Sequence, residues 1–276
     1  MARVVVVHGI NNTFTTASSM AALWTPALLG GLELAGLGDL LTADDVACVA
    51  WGDLFRTPGR FLGDEGDEDE ADIKDLFEQE LLMAWWTEAA ARDPYVMPPD
   101  ATTLGIRSTV RTALNAIAGA KFLARTTEGM IAFWLRQFRG YLLDPAIRAD
   151  MQKRFVAQIN ADTKVVVAHS LGSVIAYEAL CSHPEWQVTD FVSLGSPLGV
   201  RHIVYDRLRP EPGRWPGVQR WVNISDAADF VALEPRLRKM FGDGVVDVEI
   251  DNGVAAHSVE RYLTAAETGS AVAAAF

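Results

Sequence analysis

A chain of 276 residues, half of them hydrophobic, is long enough for one large core or for one core with an elaborated cap, so it reads as a globular protein. Its formal charge of −12 is concentrated between Asp64 and Asp100, where thirteen acidic residues face only Lys74 and Arg92. An acidic protein without a basic stripe argues against nucleic acid as a main partner, because phosphate neutralisation dominates that kind of binding.

Val4 to Val7 is a continuous apolar run, as expected of a strand buried on both faces of a parallel sheet, and it stops at His8-Gly9-Ile10-Asn11-Asn12. Because this strand starts at once, no secretion signal is expected, and a cytoplasmic protein is. Two cysteines, Cys48 and Cys181, lie within apolar stretches and read as buried free thiols rather than a disulfide framework or metal pair. Ser18 to Gly36 reads as a helix with apolar residues at Met20, Leu23, Trp24, Leu28 and Leu32. A second apolar strand, Val46 to Trp51, completes a βαβ unit whose crossover should be right-handed.

From Asp53 to Leu143 the pattern changes, and residues 53–143 are expected to form a helical insertion within a single domain that spans 1–276. An acidic loop, Asp64 to Glu70, leads into helical periodicity over Asp72 to Ala91 and again over Thr102 to Leu143. The stripe Ile106, Val110, Ala113 and Ile117 is apolar, and the polar face carries Arg107, Arg111, Lys121, Arg125, Arg136 and Arg139. Such a face can rest against an anionic membrane or be held by the acidic loop. No run of 18 uncharged apolar residues exists, since Lys121 and Arg125 interrupt the best candidate, so a spanning helix is not expected.

Pro145 to Ile159 reads as a helix and Val165 to Val167 as the central strand. Beyond it come an apolar strand from Val188 to Leu194, a strand Arg220 to Ile224, a last strand Val245 to Ile250, and a closing helix from Ser258 to Glu267. Six strands mostly separated by helices predict a parallel or mostly parallel sheet.

The central strand ends in Ala168-His169-Ser170-Leu171-Gly172, and a helical segment follows at once. Small residues two before and two after Ser170 let the strand reverse into the helix, which puts Oγ on an exposed turn above the sheet edge. The Leu171 N–H then points into the same space, at a helix N-terminus that favours developing negative charge. A serine nucleophile needs a base and an acid that orients the base. Of five histidines, only His257 lies after the last strand and downstream of the acid candidates Asp226 and Asp229. His8 and His169 read as loop-fixing residues, Ser196 as a loop residue, and Trp51, Trp85, Trp86 and Trp134 as packing.

These residues together resemble the α/β-hydrolase superfamily, and within it the lipase and serine-esterase branch that includes GPI inositol-deacylase-like and related bacterial hydrolases. The resemblance rests on Val6-Val7-His8-Gly9-Ile10, Ala168-His169-Ser170-Leu171-Gly172, Gly195-Ser196-Pro197, Trp221-Val222-Asn223 with Asp229-Phe230-Val231, and His257-Ser258 with Tyr262. It implies that the Ile10 N–H joins that of Leu171 in an oxyanion hole, and that Asp229 rather than Asp226 is the acid, because Asp-apolar-Val looks like the lipases' acid turn. Ala168 stands where the first glycine of the motif is usual, no strands precede Val4, and the insertion carries no motif of the family.

The expected activity is therefore hydrolysis of a carboxylic ester of a lipid or other small acyl substrate, by chemistry that uses no cofactor or metal. Thioesterase, peptidase and acyltransferase reactions share the machinery. A non-enzymatic binding module that uses the insertion to contact a partner or membrane is the alternative of a different class. Because the insertion leaves the sheet at the carboxyl end of a strand, it is expected to cap Ser170 over an apolar acyl pocket.

Overall fold

The computed structural model describes residues 1–10, 12–56, 71–99, 106–120 and 127–276. Six strands form one sheet in the order β2-β1-β3-β4-β5-β6: β1 (Val4–Val7), β2 (Val46–Val49), β3 (Val165–His169), β4 (Asp190–Leu194), β5 (Arg220–Asp226) and β6 (Val245–Ile250). Every neighbouring pair is parallel, so the sheet is wholly rather than mostly parallel. β2 ends at Val49, two residues before the expected Trp51, and the chain turns into a short 3₁₀ segment, Gly52–Phe55.

Alternation along each strand sends side chains to opposite faces. Val4, Val6, Val165, Val167, Val192 and Ile224 pack with Met20, Trp24, Leu28 and Leu32 of α1 (Ala17–Leu34) and with the C-terminal helices. Val5, Val7, Val166, Ala168 and Phe191 face the other way. There they share one continuous core with α2 (Leu76–Arg92), α3 (Ile106–Ala118), α4 (Glu128–Leu143), α5 (Pro145–Val156) and α6 (Leu171–Ser182). The helices between β2 and β3 are thus built into the main core. Val110, Ala113 and Ile117 are buried in α3, in agreement with the apolar stripe.

A buried polar knot fastens that side. Glu178 of α6 accepts hydrogen bonds from Tyr141 Oη at 2.6 Å, from the Arg148 guanidinium, and from the Arg209 N–H at 3.0 Å. Burial pushes the Glu178 carboxyl up, and the Arg148 guanidinium opposes that rise.

The remaining helices are α7 (Arg238–Phe241), α8 (Val259–Thr264) and α9 (Ala266–Ala273). The expected closing helix is broken into α8 and α9 at Ala265, whose extended backbone (φ −61°, ψ 136°) interrupts the ladder. Among the described residues no helix is long and apolar enough to cross a membrane. The acidic loop Asp64 to Glu70, with Lys121 and Arg125 of the expected basic face, lies outside the described residues.

Candidate active site

The strand order reverses direction between β1 and β3, which lie side by side while β2 and β4 continue outward. At such a switch point the loops leaving the carboxyl ends diverge and open a crevice. Val7 pairs with Ala168, so the next residues in register are His8 beside His169 and Gly9 beside Ser170. The approach is so close that a Cβ on Gly9 would lie 2.4 Å from Ser170 Cβ. Only glycine fits there.

Ser170 joins β3 to α6 with φ 53° and ψ −131°, a conformation that L side chains rarely adopt. Its N–H is held by Leu194 O at 2.9 Å, and its carbonyl accepts from Ser173 N at 2.9 Å and Ser173 Oγ at 2.6 Å. Leu171 is the first residue of α6, where N–H groups lack partners within the helix. Contrary to the expectation of an exposed turn, Ser170 is fully buried. The His8–Ile10 loop and the His257 ring close over it.

His257 reaches the site from the loop between β6 and α8. Its Nε2 lies 3.0 Å from Ser170 Oγ and its Nδ1 lies 2.7 Å from Asp229 Oδ2. Asp229 is completely buried, and its Oδ1 accepts from Val231 N at 3.1 Å. With Nδ1–H donating to the carboxylate, Nε2 is left to accept the Ser170 proton. Serine, histidine and aspartate therefore form one relay from three separate loops.

The two acid candidates do different work. Asp226 Oδ1 accepts from Ala228 N at 2.6 Å and Oδ2 accepts from Asn252 N at 2.5 Å, so its carboxylate shapes the turn after β5 and ties down the loop after β6. Asp229, three residues on, meets His257.

The other histidines are structural. His8 Nε2 accepts from Trp51 N at 3.0 Å while Nδ1 faces Gly9 O at 2.5 Å, and burial pushes the imidazole down to about 3. It stays neutral and fixes the loop before Ile10. His169 stacks obliquely on His257, with ring centroids 4.6 Å apart, and burial holds it well below the usual histidine range. His183 pairs with Glu185, and His202 with Asp206, both away from the site. Both cysteines are buried and free, with burial pushing each thiol up to about 11. Ser196 bonds Ser173 Oγ at 2.6 Å and caps a short turn.

Three contributors escaped the sequence reading or were underrated by it. Trp51 stacks on His8 at 4.2 Å between centroids and donates through Nε1 to His8 O at 3.1 Å, so it sets the loop beside Ser170 rather than merely filling core. Arg92 of α2 donates to Asp229 O at 2.7 Å and to Leu233 O at 3.3 Å, clamping the turn that carries Asp229. Phe230 lies edge-on to Trp85 of α2, which in turn lies edge-on to Phe138 of α4, so an aromatic chain leads from the helices to the turn that carries Asp229. No sequence signal links residues so far apart. Of the expected basic face, Arg139 pairs with Asp75 at 3.3 Å and Arg136 donates to Phe55 O at 3.2 Å.

Compared with known proteins, the chain matches no family model, no curated protein and no solved structure.

Proposed function

We propose that this protein is a serine hydrolase of the α/β-hydrolase type that cleaves a carboxylic ester of a lipid or other small acyl substrate. The observation that carries the reading is the unbroken relay from Ser170 Oγ through His257 to Asp229, at 3.0 Å and 2.7 Å. A serine that merely capped a helix would have no need of a buried carboxylate behind its histidine partner.

In the proposed reaction Ser170 Oγ attacks the ester carbonyl carbon as its proton passes to His257 Nε2. The resulting oxyanion is stabilised by the N–H groups of Leu171 and Ile10, each such donor being worth on the order of 100- to 1000-fold in rate. The C–O bond to the alcohol then breaks, and His257 returns the proton to the leaving oxygen. Water then loses a proton to the same Nε2 and attacks the acyl carbon; the bond from that carbon to Ser170 Oγ breaks, Nε2 returns the proton to Oγ, and the carboxylic acid leaves. Asp229 stays ionised throughout and holds the imidazolium. Proton transfer and acyl transfer require no cofactor.

A fluorophosphonate probe tests the reading, since it reacts with an activated serine whatever the natural ester. Wild-type protein should be labelled and should hydrolyse short p-nitrophenyl esters, and Ser170→Ala should do neither. Labelling that persists in Ser170→Ala would overturn the assignment.

A further inference from the structure

Asp229 Oδ2 receives two hydrogen bonds. One comes from His257 Nδ1, and the other, at 2.9 Å, comes from the Tyr262 hydroxyl. The same hydroxyl accepts from Asp226 N at 2.9 Å, which orients it so that its single proton is directed to Asp229. Tyr262 is completely buried. Burial first, and the Asp229 charge second, hold the phenol well above its usual range, so it stays a donor.

Its placement follows from the chain. Ser258 caps α8 directly after His257, and the helix returns Tyr262 one turn later beneath the loop that carries the histidine. Gly195, directly after β4 and with φ 51°, leaves the space these groups occupy. A Cβ there would lie 2.6 Å from Asp229 Oδ2, 3.0 Å from Tyr262 Cε2 and 3.3 Å from His257 Nδ1.

We propose that Tyr262 is a positioning residue of the relay, whose hydroxyl fixes the rotation of the Asp229 carboxylate and draws off part of its charge, thereby setting the basicity of His257. This rests on the hydrolase reading for its meaning but is measured without it. A second donor on Oδ2 stabilises the carboxylate charge and weakens its hold on the imidazolium. His257 is faced by Asp229 and Ser170 through hydrogen bonds and by the neutral ring of His169, while the Asp226 carboxylate is turned to Ala228 and Asn252.

The test follows the NMR titration of His257 in the free protein, together with the rate of fluorophosphonate labelling. Tyr262→Phe should move the His257 midpoint to higher pH and slow labelling about 10- to 100-fold, the range expected for one hydrogen bond to a charged group. Replacing Tyr262 with 3-fluorotyrosine, a stronger donor of nearly the same shape, should move the midpoint to lower pH. Opposite shifts are not produced by loosened packing, and the fluorinated residue carries the test if the phenylalanine variant fails to fold. A midpoint unmoved by fluorination, or by both changes, overturns the proposal. Shifted midpoints in a protein that no probe labels would reject the hydrolase reading and leave the role of Tyr262 standing.

Discussion

The carboxyl edge of the sheet and the helices between β2 and β3 both carry buried residues but are held by different forces. At the edge, position is set by directed hydrogen bonds: Ser170 to His257, His257 to Asp229, and Asp229 to Val231 and Tyr262. Among the helices it is set by rings, with Phe138, Trp85 and Phe230 in edge-to-face contact, and the indole N–H groups of Trp85 and Trp134 are buried with no hydrogen-bond partner among the described residues. Hydrogen bonds fix angles, whereas packing mainly fixes volume. The edge should therefore lose chemistry before stability, and the helices stability before chemistry.

The largest effect that sharpens this contrast is at the acid. Asp229→Asn should reduce turnover of a p-nitrophenyl ester by about 10,000-fold, because an amide no longer holds the His257 tautomer that leaves Nε2 free to accept. Asp226→Asn should keep most turnover and lose stability, about 1 to 3 kcal/mol for buried partners left unmatched, read from urea midpoints. Equal loss of turnover in the two variants would erase the distinction between them.

An intermediate effect concerns pH. His8 is held neutral with its pKa lowered to about 3, while in the unfolded chain it titrates near about 6.5. Below that value the unfolded state binds a proton that the folded state refuses, so stability is full above about pH 6.5 and is lost as pH falls toward 3, by at most about 5 kcal/mol. His169 acts in the same direction. Denaturation at pH 7 and pH 4.5 should show a steeper loss in wild type than in His8→Gln, and identical slopes would refute the assignment of the loss to this ring.

The smallest effect lies where the two regions meet. Arg92→Lys retains the charge but cannot reach both Asp229 O and Leu233 O, so it should lower turnover by about tenfold or less and cost about 1 kcal/mol. Turnover unaffected by Arg92→Lys would mean that the acid turn holds itself. Removing residues 104–143 takes Tyr141 and Phe138 out of the shared core, so the expected result is unfolded protein, read by circular dichroism.

What was legible in the sequence was what lies close along the chain. Four valines before His8, and three before Ala168, fixed two buried parallel strands, and the small residues around Ser170 fixed the turn. The chain order put Ser170 and His257 with either Asp226 or Asp229, and the resemblance of Asp229-Phe230-Val231 to an acid turn favoured Asp229. What was not legible depends on register and on distant contacts. Chain order alone does not separate Asp226 from Asp229; in the fold Asp226, paired with Ile250, meets Asn252, while Asp229 in the following turn meets His257. Nothing near Arg92 in the chain points to a backbone carbonyl 137 residues away. The burial of Ser170 was misjudged because a local turn looks open until its neighbouring loops are folded over it.

The backbone at Ser170 carries one more consequence. A side chain held at φ 53° and ψ −131° costs on the order of 1 to 3 kcal/mol, and glycine would adopt the same angles freely. Ser170→Gly should accordingly melt higher than wild type while being inert toward esters. On the proposed hydrolase reading, the strained backbone at Ser170 is a stability cost carried for the hydroxyl, and a higher melting point of Ser170→Gly would measure it.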